Sequence, residues 1–440
     1  MNKLVGWGQY PSILAQEVYP SSIDEVLRIA STSNKNFIPR GNGRSYGDSS
    51  MNKNLTINML NCNKFLNWDE KTGDLILEAG VLIEDIIDYF LPRGWFPYVT
   101  PGTKFVTVGG AIASDVHGKN HHFEGSFGNY VNWIDVLYSG KIRRCSAVEN
   151  NELFNWTIGG MGLTGIILRC SIKLKKVDSG WISQQVIINN DFAETIDSFS
   201  TYSNSTYSVA WIDCLATGKN FGRSILMLGE HLEERELAAK AKKFPPKKSQ
   251  IFNVPFFMPS FVLNNFSVAA FNFIYFNLAK FRKRKSLIDW DSYFYPLDTI
   301  GNWNRLYGRN GFFQFQCLLP HDQSVTGYTK ILKMIQDNSS GSFLGVLKNL
   351  GNGNGYFSFP SKGLTLALDF KLTRRNIKLA KELHRIVADH NGKIYLAKDA
   401  LMDEEEFFSL VKKSEIKEFY NFINLKSSSL QSDRLGVTNE

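Results

Sequence analysis

Cysteine is scarce in this 440-residue sequence: five residues, Cys62, Cys145, Cys170, Cys214 and Cys317, scattered along the chain. An odd, dispersed set without a Cys-x-x-Cys pair suggests neither a disulfide framework nor a thiolate zinc site, and a reducing compartment is the simplest fit. No run of eighteen or more uncharged apolar residues occurs, so no segment is expected to span a bilayer. The opening MNKLVGWGQYPS lacks the apolar core of a secretory signal, and none is expected. His121 and His122 are adjacent, and adjacent side chains diverge in both helix and strand. With no carboxylate or thiol cluster beside them, no metal site is expected. Basic clusters occur without a helix-turn-helix, RNA-recognition or zinc signature, so nucleic acid is not an expected partner.

What is present describes a folded protein. Hydrophobic residues make up 43% and charged residues 21%, and the length suffices for two or three domains with real cores. Aromatics are plentiful (33 Phe, 17 Tyr, 9 Trp), as a large apolar pocket, an apolar surface or a dense core would require. A net charge of +8 favours acidic partners such as phosphates or anionic lipid.

The chain is organised around PGTKFVTVGGAIASDVHGKNHH, residues 101–122, which holds four glycines and three of the seven histidines. Glycines this dense let the backbone approach a ligand and present its N–H groups, as a pyrophosphate and a flat ring would need. The alternative is a structural turn beside a buried helix. Two further clusters, RGNGRSYGD (residues 40–48) and GGMGLTG (159–165), look like other walls of one dinucleotide site. Around them the sequence predicts a helix opening at Ser22, a strand at residues 37–39 and a half-buried strand at 55–59. A strand at 75–80, a helix at 83–91, strands at 133–138 and 141–145, a helix from Asn151 and a strand at 166–174 follow. Short strands and helices alternating with glycine turns indicate α+β or α/β, not a bundle.

The order RGNGRSYGD, PGT…TVGGAIASDVHGKNHH, GGMGLTGII resembles the flavin-binding domain of the vanillyl-alcohol-oxidase type of FAD enzymes, and within that type the branch acting on polyprenyl-phosphate ribose. Later segments continue the likeness from Gly6-Trp7-Gly8 nearly to the C-terminus: SVAWID (208–213), YPLDTIGNWNRLYG (295–308), GFFQFQ (311–316) and YLAKD (395–399). The resemblance implies an α+β fold, with a PCMH-type FAD-binding domain of two subdomains and a separate substrate domain built on an antiparallel sheet. Its implied extents are residues 1–181 for the FAD domain, 182–391 for the substrate domain and 392–440 for a segment returning to the FAD domain.

The resemblance also assigns residues. Pro39, Arg40, Gly41, Asn42, Gly43, Arg44, Ser45, Tyr46, Gly47, Asp48 and Ser49, with Gly102, Thr107, Val108, Gly109 and Gly110, would wrap the FAD pyrophosphate through backbone donors. Ser114, Asp115, Val116 and His117 would line the flavin, Ile167 would flank the adenine side, and Tyr395 would approach from the C-terminal segment. Some relatives attach FAD through a histidine in an RGxGHS loop; Arg44 stands at that position here, which implies dissociable FAD.

FAD supplies an electron sink for alcohol oxidation, while the protein supplies position and charge. Candidate proton acceptors or charge stabilisers are His117, Lys119 and Lys398. Lys398 matches the family's active-site lysine, against the ordinary alternative of a solvated surface lysine. Gln314 and Gln316 stand two apart, so in a strand their amides face one side and would bind sugar hydroxyls, unless that face is simply exposed. Lys348 would pair with a phosphate, and Trp211 and Tyr46 complete the implied substrate set. Ala367 stands where mycobacterial members often carry a cysteine, and Thr365 and Phe294 also differ from those members.

Residues 242–285 place two basic clusters around a Phe-rich run. This reads as a mobile, membrane-facing segment in peripheral contact with anionic lipid, or as a lid or core segment with a solvated basic face. The implied function is oxidation of the ribose 2-hydroxyl of a polyprenyl-phosphate ribose to the 2-keto sugar, with a separate NAD(P)H-dependent keto-reductase completing epimerisation. The expected location is cytoplasmic, with peripheral attachment to the inner face of the membrane. The alternative is oxidation of a soluble polyol or aldonolactone.

Overall fold

The computed structural model describes residues 1–237, 242–250, 252–259 and 261–438. Three sheets carry the chain, in an α+β arrangement. In the first, the strands Asn2–Val5, Ser12–Val18, Leu55–Asn58 and Phe37–Arg40 lie side by side in that order. The sequence predicts Leu55–Asn58 to be half-buried, but all four of its residues are buried. It is flanked by parallel strands on both edges, a position in which both faces of a strand are covered. The helix Ile23–Thr32 packs here; Ser22 caps it by accepting from the Glu25 N–H at 3.2 Å.

The second sheet orders Phe65–Asp69, Asp74–Glu78, Ile166–Lys176, Val131–Tyr138 and Lys141–Ser146, with Trp95–Pro97 added along Ile166–Lys176. The helices Ile83–Phe90 and Val108–Ala113 contribute to the same core. The GGMGLTG turn is tied to the second of these, since Gly159 N–H donates to Ile112 O at 3.1 Å and Met161 N–H to Ala113 O at 2.8 Å.

The third sheet is antiparallel throughout, with eight strands in the order Lys285–Asp289, Trp181–Asn189, Ser224–His231, Tyr207–Ile212, Gly345–Leu350, Gly363–Lys371, Phe312–Leu319, Lys393–Ile394. Alternation along its strands separates two chemistries. Phe313, Phe315, Cys317 and Leu319, with Leu364, Leu366, Leu368 and Phe370, pack against the helices Phe192–Thr201, His321–Asp337 and Arg374–Asp389. Each large apolar side chain so buried contributes about 1.5–3 kcal/mol. The intervening Gln314, Gln316, Thr365, Ala367 and Asp369 face the other way. Register sets Gln314 opposite Asp369, Gln316 opposite Ala367 and Lys348 opposite Thr365.

After Lys393–Ile394 the chain crosses back to the first sheet. Ala397 O accepts from Tyr46 N–H at 3.0 Å, Lys426 O from Phe37 N–H at 2.8 Å, and Met51 O from Leu430 N–H at 2.8 Å. In the Phe-rich run, Ile251 and Ser260 lie outside the described residues. Of the rest, Phe252–Asn253 pairs with Ile300–Gly301, and Asn265–Phe281 is a 17-residue helix. Among the described residues no helix is long and apolar enough to cross a membrane.

Candidate active site

A cleft of about 420 Å³ runs between the glycine loops and the polar face of the eight-stranded sheet. The strand Phe37–Arg40 delivers the first loop, of which Pro39, Arg40, Gly41, Asn42, Gly43, Arg44, Ser45, Tyr46 and Ser49 all line the cleft. Gly41 is required by close approach: a Cβ there would lie 2.1 Å from Thr107 Oγ1. Thr107 cannot yield freely, because that oxygen caps Val108–Ala113 by accepting from Gly110 N–H at 3.2 Å. Among the described residues the N–H groups of residues 41–45 have no acceptor, which leaves five main-chain donors beside the cleft. Such a set suits a phosphate.

The second loop behaves differently from expectation. Gly102, Thr107, Gly109 and Gly110 line the cleft, but Val108 N–H donates to Val81 O and Gly109 N–H to Ala79 O, both at 2.8 Å, and Gly110 N–H is taken by its cap. Three of the five backbone donors expected there, those of Val108, Gly109 and Gly110, are already committed. Gly109 contributes smallness instead, since a Cβ would meet Ala79 Cβ at 2.9 Å. Val108 is fully buried in the core and does not reach the cleft.

Three other residues expected at the cofactor lie behind the wall and hold it. Gly47 packs where a Cβ would be 2.1 Å from Asp399 O. Asp48 accepts from Arg434 Nη2 at 2.7 Å and Nε at 3.1 Å, and Arg434 Nη1 donates to Asp399 at 3.0 Å, which clamps the first loop to the C-terminal segment. Asp115 is buried with φ of +38°; it accepts from Gly128 N–H at 2.9 Å and from the Ser358 hydroxyl. Burial pushes its carboxyl up to about 6. Its neighbours Ser114, Val116 and His117 line the cleft, as do Ile167 and Tyr395, whose hydroxyl donates to Ser114 O at 2.9 Å.

The opposite wall brings together Gln314, Gln316, Lys348 and Lys398. Neither glutamine is on an exposed face: both are buried. Gln316 Nε2 donates to Thr365 Oγ1 at 3.2 Å, which itself donates to Cys317 O at 2.8 Å, and lies 3.0 Å from His117 Nε2. His117 Nε2 must therefore accept, and its proton sits on Nδ1. Burial, reinforced by the Lys348, His121 and Lys398 charges, holds the imidazole well below its ordinary range, so it is neutral. Lys398 Nζ stands 3.9 Å from the Tyr46 ring centroid. Among the described residues nothing accepts a hydrogen bond or forms an ion pair with Lys348 Nζ or Lys398 Nζ. Burial brings Lys348 down to about 8.

Two expected residues stay outside. Lys119 is not in the cleft wall; its ammonium donates to Tyr293 O and lies 4.3 Å from that ring's centroid, and burial lowers it to about 7. Trp211 is covered by the helix Asn265–Phe281, packing against Phe276, and its indole N–H donates to Phe343 O at 3.0 Å. Conversely, Trp7, Phe105, Asp298 and Trp303 line the cleft without having been singled out as site residues. Trp7 and Phe105 sandwich Arg44, 4.5 and 5.4 Å from its guanidinium carbon. All four lie within the stretches that carry the family likeness or the central glycine-rich turn, but nothing local in the sequence marks them as cleft residues.

The wall fits a polar dinucleotide. Besides the five free N–H groups, two buried polar atoms of cleft residues, Arg44 Nε and His117 Nδ1, have no partner among the described residues. A family model described as an FAD binding domain matches residues 15–146, the stretch that carries both the 40–48 loop and the 107–117 turn. The chain is thus an FAD-dependent oxidoreductase. It is 34% identical over 420 residues, 93% of this chain and 91% of the relative, to the decaprenylphosphoryl-β-D-ribose oxidase of Mycolicibacterium smegmatis. An uncharacterised Streptomyces coelicolor protein is 27% identical over 74% of this chain and 90% of its own. The L-gulonolactone oxidase of Mus musculus is 26% identical over 38% of each chain. With likeness to the first extending nearly end to end, the chain belongs to the decaprenylphosphoryl-β-D-ribose oxidase family.

Proposed function

We propose that this enzyme oxidises the ribose 2-hydroxyl of a polyprenyl-phosphate ribose to the 2-keto sugar, the first half of an epimerisation to the arabinose form. The observation that carries this reading is the pair of lysines without counter-ions, Lys348 and Lys398, beside two buried amides on the wall facing the glycine loop. Lys348 takes the phosphate, Gln314 orients the sugar, and the amine of Lys398 receives the hydroxyl proton. His117 is a hydrogen-bond donor and not the base, because Gln316 occupies its accepting nitrogen. When bound in the cleft, FAD would supply the hydride acceptor. Arg44, where some relatives carry the linking histidine, leaves FAD dissociable, and acid precipitation should release the flavin into the supernatant.

Residues 1–181 with 392–440 form the FAD-binding unit and 182–391 the substrate unit. A separate NAD(P)H-dependent keto-reductase consumes the product. A cytoplasmic enzyme would meet its lipid substrate at the inner membrane face through the helix Asn265–Phe281, whose Phe266, Phe273, Ile274, Leu278 and Phe281 are exposed ahead of the basic run 282–285. Co-sedimentation with anionic but not neutral vesicles tests this contact, and equal recovery without vesicles would refute it. For the chemistry, the decisive experiment adds polyprenyl-phosphate ribose anaerobically to the yellow protein. Bleaching of the oxidised-flavin band supports the reading; bleaching by a free polyol or aldonolactone alone transfers it to the soluble-substrate alternative.

A further inference from the structure

One ionisable group on the polar face of the large sheet has no task in the chemistry above. Asp369, in the strand Gly363–Lys371, is 1% exposed. Its Oδ1 accepts from Gln314 Nε2 at 2.6 Å and its Oδ2 from the Tyr307 hydroxyl at 3.5 Å. Gln314 faces the cleft. On its other side Asp369 borders a second cavity of about 460 Å³, with Tyr307, Ser340, Ser342 and Asn376 in its wall. That cavity reaches solvent past the exposed Phe266, Ser339, Thr373 and Arg375. One buried carboxyl on the polar face therefore stands between the cleft and the bulk water that this second cavity reaches. Among the described residues it has no ion-pair partner, although buried carboxylates are normally paired.

The charges around it belong to the site. Burial drives the Asp369 carboxyl well above the ordinary range and Lys398 well below its own, each partly offset by the other's charge. Lys348 pushes Lys398 further down, and Tyr46 and Tyr307 both feel the Asp369 charge. Lys371 lines the same cavity, its ammonium donating to Leu263 O at 2.8 Å.

Resting on the alcohol-oxidation reading, we propose that Asp369 is the relay through which the reaction's proton leaves the cleft. As hydride departs from the carbinol carbon to the flavin, the neutral Lys398 amine takes the hydroxyl proton and the C=O bond forms. The resulting ammonium passes that proton through one water to the Asp369 carboxylate. The carboxylic acid releases it to water in the second cavity, and Lys398 is again an amine. The net change is alcohol plus oxidised flavin to ketone, reduced flavin and one proton. A second exit, through the cavity beyond Asp369, matters because cofactor and substrate fill the cleft itself.

Asp369→Asn keeps the side chain's shape and the acceptor for Gln314. It should retain FAD and KM, slow anaerobic flavin reduction about 10²-fold and change the pH profile of that step. Asp369→Glu should recover most of the rate, and formate, entering by the second cavity, should rescue Asp369→Ala saturably. Independently of turnover, the apoprotein should show an infrared protonated-carboxyl band titrating above the ordinary carboxylate range, and Asp369→Asn should lack it. If polyprenyl-phosphate ribose fails to bleach the wild-type flavin, the substrate reading falls. The infrared titration, and the variant-to-wild-type ratio on whichever alcohol does bleach it, then still decide on Asp369. Flavin reduction within twofold of wild type in Asp369→Asn, or an infrared titration unchanged by that substitution, would overturn the relay.

Discussion

Replacing Arg434 by Met tests whether the first glycine loop is held in place from the far end of the chain. The guanidinium is the shared partner of two buried carboxylates, Asp48 and Asp399, whose side chains are 3% and 2% exposed. Removing one member of a buried ionic cluster costs about 3–5 kcal/mol, chiefly because the remaining charges are left unpaired. Asp48 ends the donor loop, and Asp399 follows Lys398 directly, so the cost falls on both walls of the cleft. Transfer of about half of it to the bound state would weaken FAD about 10–100-fold, at 1.4 kcal/mol per decade. Equilibrium dialysis would give FAD affinity, and thermal unfolding of the apoprotein the stability loss. Neutralising the carboxylates as well, in the triple variant Asp48→Asn, Asp399→Asn and Arg434→Met, should recover most of both losses. The amide that Asp399→Asn introduces still offers an oxygen to Leu401 N–H and Met402 N–H, from which Asp399 now accepts at 3.0 and 2.9 Å. An unchanged FAD affinity in the single variant, or a triple variant as impaired as the single one, would refute the clamp.

Two further outcomes follow from single contacts. Gly41→Ala drives a methyl to 2.1 Å from the Thr107 oxygen that caps Val108–Ala113, so the protein should fold, at a cost of about 1–3 kcal/mol, yet purify with little FAD. Asp115→Asn should alter pH dependence. The native carboxyl rises on folding from 3.8 to about 6, so the folded state binds the extra proton and wild-type stability falls as pH climbs from about 4 through 6, by at most about 3 kcal/mol. Asn keeps an acceptor for Gly128 N–H and tolerates the left-handed backbone, so melting temperatures of the variant should lack that slope. A slope equal to wild type would show that Asp115 does not titrate there.

Most of the cleft was legible in the sequence because its parts are local. Gly-x-Gly after a strand and a Thr-capped glycine helix are short-range patterns, and the two-residue spacing of Gln314 and Gln316 fixes their common side in any strand. What was not legible depended on who else occupies the space. The N–H groups of Val108 and Gly109 look available until Val81 and Ala79 arrive from a strand end and its turn. Trp211 lies on a strand of the sheet that carries the site, but a helix more than fifty residues later covers it. Leu55–Asn58 alternates like a half-buried strand and is buried because it is central. Asp369 had no local mark at all, since its significance comes from a cavity built by segments up to about a hundred residues away.

The large sheet shows how a polar site is accommodated in so buried a position. Every functional side chain on Phe312–Leu319 and Gly363–Lys371 alternates with an apolar one fixed beneath the helices, so the polar face is held rigid by packing on the opposite face. Most of its amides and hydroxyls are satisfied among themselves, through Gln316, Thr365 and Cys317 O on one side and Gln314 with Asp369 on the other. Lys348 and Lys398 are the exceptions, and an unpaired buried ammonium is costly to keep. Shedding the proton lowers that cost, which is the direction burial drives both lysines. A neutral amine can receive a proton, and an anionic group entering beside Lys348 restores its charge. In the proposed reaction, the same desolvation that makes these lysines costly to the fold equips one as a base and readies the other for phosphate.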